Sequence, residues 1–176
     1  MKRAPLMFLL LAACASAPPK PTLPPAWTQM PAAVLDTICA KLQEEGITID
    51  NLAIAKTTQP IVTAASLRSV AHQYGKDADT SALAQIYTTA IQPMPLALNE
   101  SRCAWKPIAK LDPIRDHDQL VVEISAPIPN PFARNEAGIL ARMTLGGHDS
   151  QWYWIPLGQK NGQWGIGIVL PLDMHD

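Results

Sequence analysis

An Asn-Gly pair near the C-terminus restricts the fold of this chain more than any other local feature. Asn161-Gly162 separates two apolar segments, "QWYWIPLGQK" and "QWGIGIVLPL". A type I′ turn needs positive φ at both central residues, and Asn-Gly adopts that conformation readily. Residues 150–172 are therefore predicted to form a β-hairpin in which residues equally distant from the turn face each other.

This hairpin would divide its side chains between two faces of a sheet. One face is a core-facing apolar layer, with Trp164 on the same side near the turn; its pairs are Leu157–Ile166, Ile155–Ile168 and Tyr153–Leu170. The opposite face carries Trp152 and Trp154 beside Gly165 and Gly167. Large indoles next to residues without side chains indicate either rings that cover strand glycines or an aromatic binding face. We favour the first interpretation and keep these four residues as the candidate binding face.

The N-terminus has the pattern of a secretory signal peptide, with two basic residues before an apolar run. The run, residues 6–13, is shorter than the roughly 20 residues that span a bilayer. Two cleavage sites compete. Ala15-Ser16-Ala17 fits ordinary cleavage but would place Pro18 directly after the cut. Leu11-Ala12-Ala13-Cys14 resembles the lipobox of bacterial lipoproteins.

The lipobox resemblance implies a domain organisation and a location. Residues 1–13 would be removed as a signal peptide, and Cys14 would carry lipid, including palmitate. Residues 14–31 would form a proline-rich tether, which in a polyproline II conformation reaches about 50 Å. Residues 32–176 would form a single α+β domain. Ala15 lacks the acidic character associated with inner-membrane retention, which implies the periplasmic face of the outer membrane.

The charge of the chain argues against a nucleic-acid partner. The sequence has 14 basic and 15 acidic side chains, and removal of the signal peptide changes the net charge from −1 to −3. No basic run occurs, so no nucleic-acid binding is expected. We expect membrane association through lipid and a protein or other envelope component as partner. No cofactor is expected, because no P-loop, dinucleotide fingerprint or Gly-x-Ser-x-Gly motif occurs.

The two remaining cysteines, Cys39 and Cys103, are predicted to form a disulfide, since an even pair in an oxidising compartment usually does. The bond would close a loop of 64 positions. In the chain-entropy model such a loop is worth about 4 kcal/mol. The alternative is a catalytic thiol at one of them, which would need an activating base.

Apolar spacing predicts helices over 32–45, 66–74 and 79–91, and strands over 52–58, 103–111, 119–125 and 137–147 before the hairpin. Helices followed by an antiparallel meander predict an α+β fold with the helices packed on one face of the sheet. This order resembles the cone-shaped fold of nuclear-transport-factor-2-like domains, and a cystatin-like fold has a similar order. No catalytic dyad of the former family maps onto this chain.

Glu123 and Arg142 are the notable charged pair. Each interrupts an apolar strand, so adjacent antiparallel strands would bring them together as an ion pair. In a cone-shaped fold they would line a polar pocket, where Glu123 would act as a base or ligand contact. A partly exposed salt bridge is the more common arrangement.

Three His-Asp dipeptides raise the question of a metal site: His117-Asp118, His148-Asp149 and His175-Asp176. Neighbours on a strand point to opposite faces, so a dipeptide alone does not chelate an ion. No paired ligand spacing occurs, and no metal site is predicted.

Two functions fit these features. The favoured one is a non-enzymatic lipoprotein that binds an envelope partner, because no catalytic motif is found and no catalytic residue can be assigned. The alternative is a small-ligand-binding or hydrolytic domain of the nuclear-transport-factor-2-like kind, with its pocket near Glu123 and Arg142.

Overall fold

The computed structural model describes residues 27, 29–47, 52–90, 92–108, 119–134, 136–145, 149–161 and 163–174. The signal peptide, Cys14 and most of the tether lie outside them, as do Gly162, His117-Asp118, His148 and His175-Asp176. The described elements are α1 (Ala32–Glu44), β1 (Leu52–Ala55), α2 (Ala64–Gln73), α3 (Ser81–Ala90), β2 (Lys106–Ile108), β3 (Leu120–Ile124), β4 (Ile128–Pro129), β5 (Glu136–Leu145), β6 (Asp149–Lys160), β7 (Gln163–Ile166) and β8 (Leu170–Leu172). Within the described part of the chain, no helix is long and apolar enough to cross a membrane.

The three helices occur within two residues of their predicted ends. Helix α1 buries a stripe at helical spacing, formed by Val34, Leu35, Ile38, Cys39 and Leu42. Helix α2 begins earlier than predicted because Thr63 and Ser66 form a capping box. Gly46 and Gly75 follow α1 and α2 with positive φ, the conformation that commonly ends a helix.

The strands form one sheet in the order β2-β1-β3-β5-β6-β7, with β4 beside β5 and β8 beside β6. Strand β5 pairs antiparallel with β6 along its whole length. The prediction of a wholly antiparallel meander is wrong at β1, which pairs parallel with both β2 and β3. Parallel pairing needs a long crossover, and helices α2 and α3 provide it between β1 and its two partners.

The helices contribute to two separate buried clusters rather than to one. Tyr153 and Ile155 of β6 belong to a cluster with α1, whereas Trp152 and Trp154 belong to a cluster with α2 and α3. Successive side chains of a strand point to opposite faces, so these clusters lie on opposite sides of the sheet. We call the two sides the α1 face and the α2–α3 face. The α+β class is confirmed, but the prediction that all helices share one face is wrong, because both faces of β6 are too apolar to remain in water.

Helix α1 is linked to the segment that precedes β2. Cys39 and Cys103 lie at disulfide distance, with their Cα atoms 6.4 Å apart. Beside them, the Asp36 carboxylate accepts hydrogen bonds from the Ser101 hydroxyl and the Arg102 backbone N–H, both at 2.7 Å. The bond from Ser101 is the main reason that the pKa of Asp36 lies below its usual value. The cysteine pair and these two charge-assisted hydrogen bonds therefore bring α1 and the segment before β2 together at neighbouring positions.

The hairpin follows the predicted register only as far as Ile166. Asn161 has a positive φ of 53°, and Leu157 pairs with Ile166. Beyond that point the predicted pairs Ile155–Ile168 and Tyr153–Leu170 are wrong. Leu170 instead pairs with Trp154.

The shift arises from a bulge at residues 167–169. The Gly167 backbone N–H donates to the Pro156 carbonyl at 2.7 Å, and a Cβ atom at this glycine would lie only 3.0 Å from the Pro156 ring. The strand then leaves the ladder, and Ile168 is 83% exposed. A one-residue slip moves every later side chain to the other face, so Leu170 packs on the α2–α3 face.

Trp154 covers a glycine, but not either of the two that the sequence suggested. Its indole ring lies directly over Gly138 of β5, where any Cβ atom would overlap the ring. Gly165 has no atom near its Cβ position. The close approach of ring and backbone therefore depends on Gly138.

We predict that Gly138→Ala lowers the free energy of unfolding by about 1–3 kcal/mol, because the added methyl group displaces the buried Trp154 ring. Urea denaturation measures this change. Gly158→Ala is the matched control: its Cβ meets no atom within 4 Å, and its effect should stay within about 0.5 kcal/mol. Equal effects of the two substitutions would show that the ring can move freely.

Candidate functional site

The two tryptophans of the predicted binding face are buried. Trp152 retains 8% of its exposure and Trp154 retains none. The Trp154 indole N–H donates to the Tyr74 hydroxyl at 3.3 Å. Both rings pack in one cluster with side chains from the two helices above them, including Leu67, Val70 and Tyr87. This face is core in the folded chain, because α2 and α3 cover it.

A polar network closes this core beside Trp154. The Tyr74 hydroxyl donates to Glu136 Oε2 at 2.9 Å, and Asn130 Nδ2 donates to the same oxygen at 3.2 Å. Burial raises the pKa of Tyr74, and the Glu136 carboxylate raises it further. The network joins the end of α2 to the loop before β5, which gives these polar groups a structural role.

The structure brings Glu123 and Arg142 together as the sequence suggested. They are cross-strand neighbours on β3 and β5, and Arg142 Nε donates to Glu123 Oε2 at 2.6 Å. Arg142 Nη2 contacts the same oxygen. The guanidinium carbon lies 5.3 Å from the centre of the Trp152 ring, a cation–π distance. The Glu123 carboxylate is almost fully buried, and its negative charge is paired with the positive charge of the Arg142 guanidinium.

Open apolar surface occurs instead on the α1 face. Six strands spaced by about 4.8 Å are roughly 24 Å wide, whereas one helix is about 10 Å wide. Helix α1 alone is therefore too narrow to cover its side of the sheet. Two grooves lie beside its two ends.

The larger groove lies between the start of α1 and β7, and has a volume of about 510 Å³. We call it the tryptophan groove; its principal lining side chains are Trp27, Pro31, Val34, Leu157, Trp164 and Ile166. Its volume falls within the range of about 300–1,000 Å³ that is usual for ligand sites. Among the described residues that line the groove, none has a charged side chain.

Only part of this groove was predictable from the sequence. Trp164 lies on the α1 face, where it was assigned, but it is half-buried and forms a groove wall. Trp27 was overlooked because it belongs to the predicted tether. Trp27 lies beside Val34 and β7 only in the folded chain. The one sequence feature that could have indicated its role is the presence of an aromatic residue in a proline-rich segment.

The smaller groove, of about 280 Å³, lies beside the other end of α1 and is lined by residues that include Ile47, Leu145 and Gln151. The Tyr153 hydroxyl lies 2.6 Å from Glu45 Oε2, to which it donates, and 2.7 Å from Oε1 of Gln151, which lines this groove. Burial, together with the hydrogen bond to Glu45, raises the pKa of Tyr153 well above its ordinary value.

Neither groove contains Glu123 or Arg142. Among the described residues, no group of three or more His, Cys, Asp or Glu side chains is arranged to hold a metal ion. Comparison of the chain with protein-family models, with curated proteins and with solved structures returns no match. The two grooves are therefore the candidate binding sites of this chain.

We predict that Tyr153→Phe reduces the fall in the free energy of unfolding as the pH becomes alkaline. Because the pKa of Tyr153 is raised by folding, the folded chain keeps a proton that the unfolded chain loses above about pH 10. The stabilisation is complete below that pH and is lost as the pH rises toward the folded-state pKa. Urea denaturation between pH 8 and pH 11 should give a shallower decline for the variant, and parallel declines would contradict the assignment.

Proposed function

We propose that this chain is a lipid-anchored lipoprotein on the periplasmic face of the outer membrane, and that it binds an envelope partner in the tryptophan groove. The observation that carries the proposal is the groove itself, whose described lining is mostly apolar, includes two tryptophan side chains and contains no charged one. Large apolar patches on a folded chain commonly mark interaction sites, and tryptophan is enriched among the residues that dominate binding energy.

The position of the groove supports a role close to the membrane. Trp27 belongs to the predicted tether, so the groove lies where that tether joins the domain. Residues 15–26 separate Trp27 from Cys14, and an extended polyproline II chain of that length spans roughly 40 Å. A partner near the membrane surface would lie within reach of the groove.

The proposal extends to kinship with cone-shaped domains of the nuclear-transport-factor-2-like or cystatin-like kind. Its support is the packing of an N-terminal helix, α1, across the antiparallel strands β5 and β6. The parallel pairing of β1 departs from the predicted meander. The proposed kinship is therefore supported only by the antiparallel half of the sheet that contains β5 and β6.

The alternative, a ligand-binding or hydrolytic site at Glu123 and Arg142, has weaker support. A general base must be able to reach a substrate, whereas the Glu123 carboxylate is buried and bound by Arg142. We therefore favour a binding role over a catalytic one.

We expect cells grown with radioactive palmitate to label the wild-type chain and not the Cys14→Ala variant, because Cys14 is the proposed acylation site. The variant should also move from the membrane fraction to the soluble fraction. Ser16→Ala, two positions further along, is the control and should label normally. Equal labelling of wild type and Cys14→Ala would refute the lipid anchor.

We expect a photo-crosslinking residue at Gln163, an exposed position at the groove, to capture a defined partner in cells. The same residue at Gln85, on the exposed side of α3, should not capture it. Trp164→Ala should abolish the crosslink because it removes a groove wall. Ile168→Ala, which truncates an exposed side chain outside the groove, should not. Capture that is indifferent to Trp164→Ala would refute the groove as the binding site.

A further inference from the structure

The open edges of the sheet are protected unequally. Strand β2 has only three residues, and Lys106 and Pro107 are two of them, which is a common protection against strand addition. Along β8, Pro171 has no N–H group, and its carbonyl accepts a hydrogen bond from Gln73 Nε2 at 3.1 Å. Strand β7 contains neither a charged residue nor a proline.

The hydrogen-bonding groups of β7 can be assigned to its two sides. The Gly167 N–H donates to the Pro156 carbonyl of β6, and in an antiparallel ladder hydrogen-bonded and non-hydrogen-bonded positions alternate. In the register of the β6–β7 ladder, Gly165 and Gln163 are then the residues of β7 that bond to β6. The N–H and C=O groups of Trp164 and Ile166 therefore point away from β6. Within the part of the chain that the structure describes, no strand pairs with that side of β7.

The free edge and the tryptophan groove are adjacent, since Trp164 and Ile166 contribute to both. A strand added beside β7 would place every second side chain on the α1 face, next to these two residues. Those side chains would enter the groove. One ligand would then be held both by backbone hydrogen bonds to β7 and by burial of its apolar side chains in the tryptophan groove.

Two other occupants fit less well. The proline-rich segment 18–25 of this chain has five prolines, and proline cannot donate to a strand ladder. A second copy paired through β7 alone would join two four-residue strands and bury only a few hundred Å², well below the roughly 1,200 Å² of a stable interface.

We propose that the partner presents an extended, proline-free peptide segment that adds a strand to the outer edge of β7 and places alternate apolar side chains in the tryptophan groove. This inference rests on the proposed function and specifies the chemistry of the partner. Strand addition of this kind derives affinity from main-chain hydrogen bonds and specificity from the pockets that receive alternate side chains.

Substitutions at Ile166 separate the backbone from the side chain. Ile166→Pro removes an N–H group that points outward, so the ladder with β6 remains complete, and edge strands tolerate proline at such positions. Ile166→Ala removes most of the same side chain and keeps the N–H. The two variants should unfold at similar urea concentrations.

The probe is a library of random twelve-residue peptides displayed on phage and selected on the purified mature chain. We expect proline-free sequences with apolar residues at alternate positions. Synthetic copies should bind Ile166→Pro about five- to tenfold more weakly than Ile166→Ala, which corresponds to the loss of one main-chain hydrogen bond. Binding should slow amide hydrogen exchange at Trp164 and Ile166, while exchange at Gly165, whose N–H already bonds to β6, should change little.

The outcomes distinguish this inference from the proposed function. Peptides that require Trp164 but bind the two Ile166 variants equally would overturn strand addition and leave the groove as a binding site. Selection of proline-rich peptides, or concentration-dependent dimerisation abolished by Ile166→Pro, would overturn it in favour of the other occupants. A failure to select peptides would overturn strand addition, whereas peptide binding unaffected by Trp164→Ala would overturn both strand addition and the tryptophan groove as the binding site.

Discussion

The strand β6 is apolar on both of its faces, and the rest of the structure depends on this constraint. Tyr153 and Ile155 need cover on one side, while Trp152 and Trp154 need cover on the other. The chain meets both needs by placing α1 on one face and α2 with α3 on the other. Helices α2 and α3 also form part of the crossover that brings β1 parallel to β3. The mixed sheet and the two-sided packing therefore have a common cause.

Local patterns predicted the elements well and their arrangement less well. The helices and the Asn161 turn follow from apolar spacing and turn chemistry within a few neighbouring residues. The face on which each helix packs depends on contacts between distant segments, which periodicity does not encode. The Glu123–Arg142 pair was predictable because adjacent strands placed both residues opposite their apolar neighbours. The burial of this ion pair was not predictable, because it depends on other elements of the fold that pack over these strands.

The burial of the candidate binding face was hidden from the sequence for a related reason. Rings that cover strand glycines were the favoured interpretation of Trp152 and Trp154, and the two residues remained a candidate binding face because the hairpin sequence does not reveal that α2 and α3 pack over them. Helices α2 and α3 cover these tryptophans, and among the described residues the open apolar surface lies on the α1 face, where one helix is narrower than the sheet. Trp164 and Trp27 form that surface because they are the aromatic residues left at its margin.

The bulge at residues 167–169 makes the length of this segment more important than its composition. The side chain of Ile168 is largely exposed, so its size and polarity should have little effect on packing. The one-residue slip nevertheless lets the same return strand contribute Ile166 to one layer and Leu170 to the other. A deletion of one residue would restore the continuous register and point Leu170 away from the tryptophans. Related chains should accordingly vary in sequence at this position while they preserve the number of residues.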